Sequence, residues 1–444
     1  MSMDDFIAAR SQMALSLGFH IIYACIGMVM PFFMAVAHYK WLKTNNIVYR
    51  NITKAWSKGV AIFFATGAVS GTVLSFELGL LWPGFMKHAG PIFGMPFSLE
   101  GTAFFIEAIA LGFFLYGWDK LNKWFHWFTG IVVGVSGLAS GILVVSANAW
   151  MNSPVGFDFI QGEYVNIDPI KAMFNEAWFS QALHMTLAAF AATGFAVAGV
   201  HALMILRKKN VVFHHKAFRI AIAFGAVAAL LQPISGDISA KDVTQRQPAK
   251  LAAMEALFKT EKSAPLIIGG IPDEETQTVK YKIELPGMLS FLAHGDFTHE
   301  VTGLDQIPKE NHPPVMITHF AFQIMVGIGS FLVVAALLYV ISLKKKSWYN
   351  QSWFLKLFVA AIPLGFIAVE AGWVVTEVGR QPWIIYNVMR TADAVTPMPG
   401  IAYSFYMFTV VYVSLTAAVI FLLRRQIQMV PVLYDKQDSP QSGH

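Results

Sequence analysis

Apolar residues run along this chain in long blocks rather than in the alternating or three-to-four spacing of a soluble protein. Nine blocks are about 20 residues or longer, the length needed to cross a hydrocarbon core of about 30 Å. Their approximate limits are 13–38, 56–81, 98–117, 126–150, 180–206, 217–236, 314–342, 355–376 and 401–424. Each predicts a helix, because an open strand edge cannot satisfy its backbone polar groups in lipid. The first block follows Asp4 and Asp5 and lacks the basic leader and small-residue cleavage site of a signal peptide, which predicts a retained membrane helix. One polar stretch of length separates the blocks, residues 237–313. It carries an amphipathic helical pattern at Pro248–Lys259, with Leu251, Met254 and Phe258 on one face. A turn is expected at Gly269–Asp273, and the alternation from Val279 to Leu285 predicts a short strand. The organisation read from the pattern is helices 1–6 over 1–236, the long loop over 237–313, helices 7–9 over 314–424, and a polar tail over 425–444, expected to be disordered from Gln437 to His444.

Composition agrees with the pattern: 56% of the 444 residues are apolar and 13% charged, where a soluble chain carries about a quarter charged. A multi-domain soluble protein is excluded, as is disorder. The 32 Lys and Arg against 27 Asp and Glu leave only +5, too little for a nucleic-acid footprint. The single cysteine, Cys25, rules out an intrachain disulfide and a metal-thiolate cluster. The distribution of charge matters more than its sum. Lysines and arginines crowd the connections after spans 1, 3, 5, 7 and 9, from Lys40 to Lys58, at Lys120 and Lys123, from Arg207 to Arg219, from Lys344 to Lys356, and at Arg424, Arg425 and Lys436. Outside the long loop the other side holds only Arg10, Lys87, Lys171, Arg380 and Arg390. The excess of basic residues on cytoplasmic loops places the N-terminus and the long loop outside, and the C-terminus inside.

Ionisable side chains within spans are costly and so mark function by default. Here they are His20, Glu77, Glu100, Glu107, His184, His201, His319, Glu370 and Glu377. With the expected orientation, His20, Glu100, His184, His319 and Glu370 all fall in the outer half of the membrane. Glu100 and Glu107, seven residues apart, share a helix face and differ in depth by about 10 Å, an arrangement suited to passing protons. His38, His126 and His201, near helix ends, are expected to be interfacial, and Glu377 to pair with Arg380 three residues on. Imidazole, thioether and carboxylate groups without thiolates suit heme better than zinc or iron–sulfur. One arrangement is a bis-histidine cytochrome b built from His20/His38 and His184/His201; a non-redox membrane transporter is the reading from another class.

Particular stretches then become recognisable. They are the run from Ser11 to His20, Leu99–Gly101 with Phe104 to Glu107, Gly117–Asp119, Ala147–Met151, Lys250–Glu255, Gly270–Asp273 and Phe320–Met325. The last is Val369–Trp373, followed by Gly379–Arg380–Gln381–Pro382–Trp383. In order and over essentially the whole chain, these resemble subunit I of the cytochrome bd quinol oxidases, bacterial enzymes of the cytoplasmic membrane. The resemblance implies an all-α, multi-pass subunit that takes electrons from a quinol and reduces O2 to water through three hemes. By matching motif, His184 and Met325 would be the axial ligands of a low-spin heme b. His20 and Glu370 would each hold one of the other two, His20 preferably the oxygen-reducing heme and Glu370 the high-spin heme b. Glu100 would lie at the oxygen-reducing heme and Glu107 would feed it protons, with Asp119 near the inner end of the same route. Lys250 and Glu255 match the quinol-binding positions of the outer loop, the Q loop, and Arg380 could neutralise heme propionates. Lys250 and Glu255 are five apart, outside helical salt-bridge spacing, which leaves both free for a ligand.

The resemblance further implies a second membrane subunit, subunit II, and possibly a small single-helix subunit, and no nucleic-acid partner. The short loop between spans 6 and 7, Gln323 where many relatives have Arg, and Ser75–Phe76–Glu77 in place of a differently positioned acid resemble the short-loop, cyanide-insensitive branch. Heme d or a third heme b at the oxygen site, and ubiquinol or menaquinol as donor, both stay open at this point.

Overall fold

The computed structural model describes residues 4–160 and 163–435; the polar tail expected from Gln437 lies outside them. Nine helices among the described residues are long and apolar enough to span a membrane. In chain order the helices are α1 (Asp5–Thr44), α2 (Ile47–Leu81), α3 (Pro83–Tyr116), α4 (Lys123–Asn152), α5 (Pro169–Met173), α6 (Trp178–Leu206), α7 (Val211–Arg246), α8 (Pro248–Met254), α9 (Met288–His294), α10 (Val315–Lys344), α11 (Ser352–Val378), α12 (Thr391–Ala394) and α13 (Ile401–Asp435). The spans are α1–α4, α6, α7, α10, α11 and α13. Every expected span is present, and several run well past the apolar block that announced them. Helix α2 starts at Ile47, α3 at Pro83, and α7 continues to Arg246, ten residues beyond the expected end of its span. The extensions of α2 and α7 are polar or amphipathic and that of α3 is broken up by Pro91 and Pro96, so apolar length alone does not reveal them.

Local sequence explains the helix ends. The side chains of Asn46, Asn122 and Asn210 accept hydrogen bonds from the first backbone N–H groups of α2, α4 and α7, satisfying donors that have no partner within the helix. Asn45 ends α1 in the left-handed conformation, φ 52°. At the other end of the bundle, the Asp5 carboxylate accepts from Gly400 N and Ile401 N, tying the start of α1 to the start of α13.

Helix α6 is the hub. It packs most extensively on α7 and α11, and small residues set how close they come. A Cβ on Gly194 would lie 2.5 Å from the Gly225 Cα of α7, and one on Gly365 of α11 would lie 2.5 Å from Ala192 Cα. Without a hydrophobic force between helices in lipid, such close backbone packing supplies much of the association.

The long connection after α7 folds against one end of the bundle, with its own small core of Leu251, Leu257, Phe258, Ile267, Leu289 and neighbours. Leu251, Met254 and Phe258 are buried as the amphipathic pattern predicts, although regular helix stops at Met254. The expected strand is present as Thr278–Leu285, but Gly269–Asp273 is not a turn. It lies in a second strand, Leu266–Asp273, that pairs antiparallel with Thr278–Leu285, and the reversal falls between Asp273 and Thr278. Gly269 and Gly270 do adopt positive φ, 68° and 90°; the glycine signal reports backbone conformation within the strand rather than its end.

Candidate functional site

The loop-bearing end of the bundle collects the predicted ligands. His184 lies in the second turn of α6. Its Nδ1 is 3.0 Å from Ser235 Oγ on α7, and the Gln232 amide reaches its Nε2 at 3.2 Å. His20 on α1 repeats the device: its Nδ1 is 2.9 Å from Ser70 Oγ on α2. A hydroxyl on one ring nitrogen fixes the plane of the imidazole, as outer partners of metal-bound histidines do; this leaves Nε2 of His20 open, whereas at His184 the flexible Gln232 amide has to turn away from Nε2 before a ligand reaches it. Gly71 makes room for the ring; a Cβ there would stand 3.1 Å from His20 Cε1. The Met325 sulfur lies against α11 at Gly372, where a Cβ would be 3.1 Å away.

Glu370, two residues before Gly372, directs its carboxyl to α1 beside Gly18, and its buried Oε1 has no hydrogen-bond partner among the described residues. It is the one acidic group on a groove of about 790 Å³, otherwise walled by apolar side chains including Ile22, Phe320, Ile324, Phe366 and Ile367. An apolar groove with a single open carboxylate oxygen fits an iron porphyrin. Two directed imidazoles and a thioether at the same end of the bundle fit the remaining positions. The Arg380 guanidinium is 2% exposed; its Nη2 pairs with Glu377, as the three-residue spacing predicts, while Nε and Nη1 are left without partners. Two unpartnered N–H groups on a buried cation form a receptor for a further carboxylate.

Lys250 and Glu255 are both buried, at 4% and 3% exposure. They make no ion pair with each other, but Lys250 is not free: its Nζ donates to Asn152 Oδ1 at 2.9 Å. From there a continuous ladder runs through Asn152 to Asn148 (3.1 Å), Glu377 and Arg380. Burial, reinforced by the Arg380 charge, draws the Lys250 amine down to about 7. Burial raises the Glu255 carboxyl to about 8, and its Oε2 is unpartnered. Both groups thus change charge near neutrality, which suits them to proton transfer.

On α3, Glu100 accepts from Ser140 Oγ at 3.1 Å. Glu107 is 7% exposed and lies against Gly137, with no hydrogen bond to its carboxyl among the described residues. Asp119 sits apart: it is exposed and held by Arg50 at 3.0 Å, at the surface turn after α3. The terminal histidines are not interfacial. His38, His126 and His201 are all buried. His38 is enclosed by Trp41, Phe114, Trp118 and His126. His201 accepts from Trp56 Nε1 at Nε2 and pairs with His214 at Nδ1, so neither ring nitrogen is open to iron and the bis-histidine arrangement loses a ligand. His319 bonds Met254 O and Gly269 O, and Gln323 bonds Gly269 N and Ile267 O. These two residues dock the loop on α10. Residue type marked His319 but gave no sign of this role; Asn148 falls in the recognised stretch Ala147–Met151 without a role attached, and Ser70, Ser235 and Asn152 carry no sequence signal, being ordinary polar residues in helices.

Residues 8–431 match the family model described as cytochrome bd terminal oxidase subunit I. A Bacillus subtilis (strain 168) protein assigned as a cytochrome bd menaquinol oxidase subunit I is 38% identical over 97% of this chain and 98% of its own length. The cytochrome bd ubiquinol oxidase subunit 1 of the same organism is 32% identical over 96% and 94%. The bd oxidase structure from Geobacillus thermodenitrificans superposes with a TM-score of 0.91 at 38% identity, covering 96% of this chain and 98% of that one. The chain belongs to the cytochrome bd terminal oxidase subunit I family: it is a multi-pass membrane subunit of a bacterial respiratory quinol oxidase.

Proposed function

We propose that this chain holds all three hemes of the oxidase and carries quinol oxidation and oxygen reduction at the loop-bearing end of its bundle. His184 and Met325 would hold low-spin heme b. Glu370 holds high-spin heme b, and His20 the oxygen-reducing heme, which is heme d or a third heme b. Bound there, the hemes supply one-electron transfer and the iron that binds oxygen. The observation that carries this reading is the matched pair of imidazoles, each clamped at Nδ1 by a serine hydroxyl from the neighbouring helix, together with the open Glu370 carboxylate against α1 at Gly18.

The protein's own groups do the rest. Lys250, oriented by Asn152, binds a quinol oxygen, and Glu255 takes its proton and releases it at the outer surface. The unpartnered N–H groups of Arg380 receive a heme propionate. Glu107 and Glu100, on one face of α3, carry protons from the inner side, and Ser140 fixes the Glu100 carboxyl; Asp119 stands at the inner entrance. With the N-terminus outside, protons are released outside and consumed from inside, so a proton-motive force forms without pumping. Each charge that crosses is worth about 2.3 kcal/mol per 100 mV. The working complex adds subunit II and has room in its family plan for a small single-helix subunit.

The test is the dithionite-reduced minus oxidised spectrum of the purified complex, with pyridine hemochrome extraction. We expect three hemes, a far-red chlorin band if the oxygen site holds heme d, and loss of the sharp low-spin band in His184→Ala. Retention of that band in His184→Ala would overturn the ligand assignment.

A further inference from the structure

A second buried polar cluster lies where α1, α2 and α13 meet, and the heme and quinol sites leave it unused. Gln12, Ser16, Glu77 and Tyr412 are 1%, 0%, 2% and 2% exposed. One contact is well formed: Gln12 Nε2 donates to Glu77 Oε1 at 2.8 Å. Ser16 stands beside both the Glu77 carboxyl and the Tyr412 hydroxyl without closing a good hydrogen bond to either. Each of the four residues therefore presents one buried polar atom with no partner among the described residues: Gln12 Oε1, Ser16 Oγ, Glu77 Oε2 and the Tyr412 hydroxyl. Native interiors rarely leave one such atom unmet, and four on neighbouring residues of three helices call for a bridging ligand.

The chemistry of the four selects that ligand. No Lys or Arg side chain among the described residues pairs with Glu77, and its neighbours Gln12, Ser16 and Tyr412 are uncharged. A bare carboxylate there would be costly, so the acid form is favoured. We propose that the cluster is a water-binding site in which Glu77 carries its proton. A bound water accepts from the Glu77 carboxyl O–H and the Tyr412 O–H, and donates to Gln12 Oε1 and Ser16 Oγ. Two bonds accepted and two donated complete the water and satisfy all four open atoms.

Its place gives the site a use. Ser16 is one turn, about 6 Å, from His20 on the same face of α1. Glu77 is two turns from Ser70, the hydrogen-bond partner of His20, on the same face of α2. The Asp5 link between the starts of α1 and α13 puts the cluster two to three turns below the loop-bearing rim. The site is a hydrated, proton-exchanging carboxyl between that rim and the His20 pocket, separate from Glu100 and Glu107 on α3. The water site itself does not depend on which heme His20 holds.

Infrared spectroscopy on the intact oxidase complex, in H2O and after transfer to D2O, tests this. The wild type should show a protonated-carboxyl C=O band that is lost in Glu77→Gln, shifts down in D2O within minutes, and is displaced in Tyr412→Phe, which keeps the acid but removes one partner of the water. Heme content, measured in the same samples, should be unchanged, so failure of the heme assignments would show separately. Absence of the Glu77-dependent band from the wild type would mean an ionised carboxylate with a bound cation, and a band that resists D2O for hours would mean a dry site. Either result overturns the proposal; if Glu77→Gln does not assemble, the D2O response and the Tyr412→Phe displacement decide it.

Discussion

At the scale of single residues, burial turns ordinary side chains into groups that titrate near neutrality. Lys250 is drawn down to about 7 and Glu255 up to about 8, both mainly by desolvation. The sign follows directly: as pH rises through 7 Lys250 loses its charge, and through 8 Glu255 gains the carboxylate that can accept a proton. Quinol oxidation should therefore accelerate between about pH 7 and 8, and Glu255→Gln should flatten that rise, measured as steady-state quinol oxidation against pH. A pH profile unchanged in Glu255→Gln would remove Glu255 from the proton path. Glu107, buried and without a hydrogen-bonded partner, has one obvious use in a membrane helix. Glu107→Gln should slow oxygen consumption by at least tenfold while all hemes remain bound, and normal turnover would remove it from the relay. The identities of these acids and bases were legible from residue type at membrane depth. The Asn152 contact that occupies Lys250 was not, because an asparagine at a helix end looks the same whether it faces water or a buried amine.

At the scale of elements, glycines decide how the ligand-bearing helices approach one another. A side chain at Gly194 would meet the backbone of α7 at Gly225, and backbone cannot swing aside as a flexible side chain can. Gly194→Leu should therefore separate α6 from α7, withdrawing Ser235 from His184, at a cost of about 1–3 kcal/mol or more for forced overpacking. The expected result is reduced low-spin heme in the assembled complex, read from the heme spectrum and the thermal midpoint together. Gly372→Ala makes the contrast: its Cβ would meet the Met325 sulfur at 3.1 Å, a flexible side chain rather than backbone, so the helices should keep their places; because that sulfur is a proposed heme ligand, the low-spin band should shift while the other two hemes stay bound. Helix number and order were readable from apolar length. The extensions of α2, α3 and α7 were not, since the added turns of α2 and α7 are amphipathic or polar and those of α3 are broken up by Pro91, Pro96 and three glycines that usually end a helix. Nor was the hairpin, where two glycines that usually mark a turn lie within a strand.

At the scale of the whole molecule, the long loop, the start of α6 with His184, the end of α11 with Arg380, and the linked starts of α1 and α13 share one end of the bundle. Basic residues gather at the other end, at the connections after spans 1, 3, 5, 7 and 9. This polarity predicts vectorial chemistry. In vesicles where protease reaches the loop from outside, quinol oxidation should acidify the outer medium; alkalinisation there would reverse the proposed orientation. The amino-acid sequence by itself determined the membrane class, the nine spans, the family and the residue types available for heme and proton chemistry, because hydrophobic length and side-chain chemistry are local properties. Only the tertiary structure decided which groups are clamped, paired or left open. Ser70 and Ser235 reach across to His20 and His184, Asn152 takes Lys250, His214 closes His201 to iron, and Glu77 joins a cluster shared by three helices. Each of those contacts spans separate helices, and their distance and facing follow from packing that no stretch of sequence encodes alone.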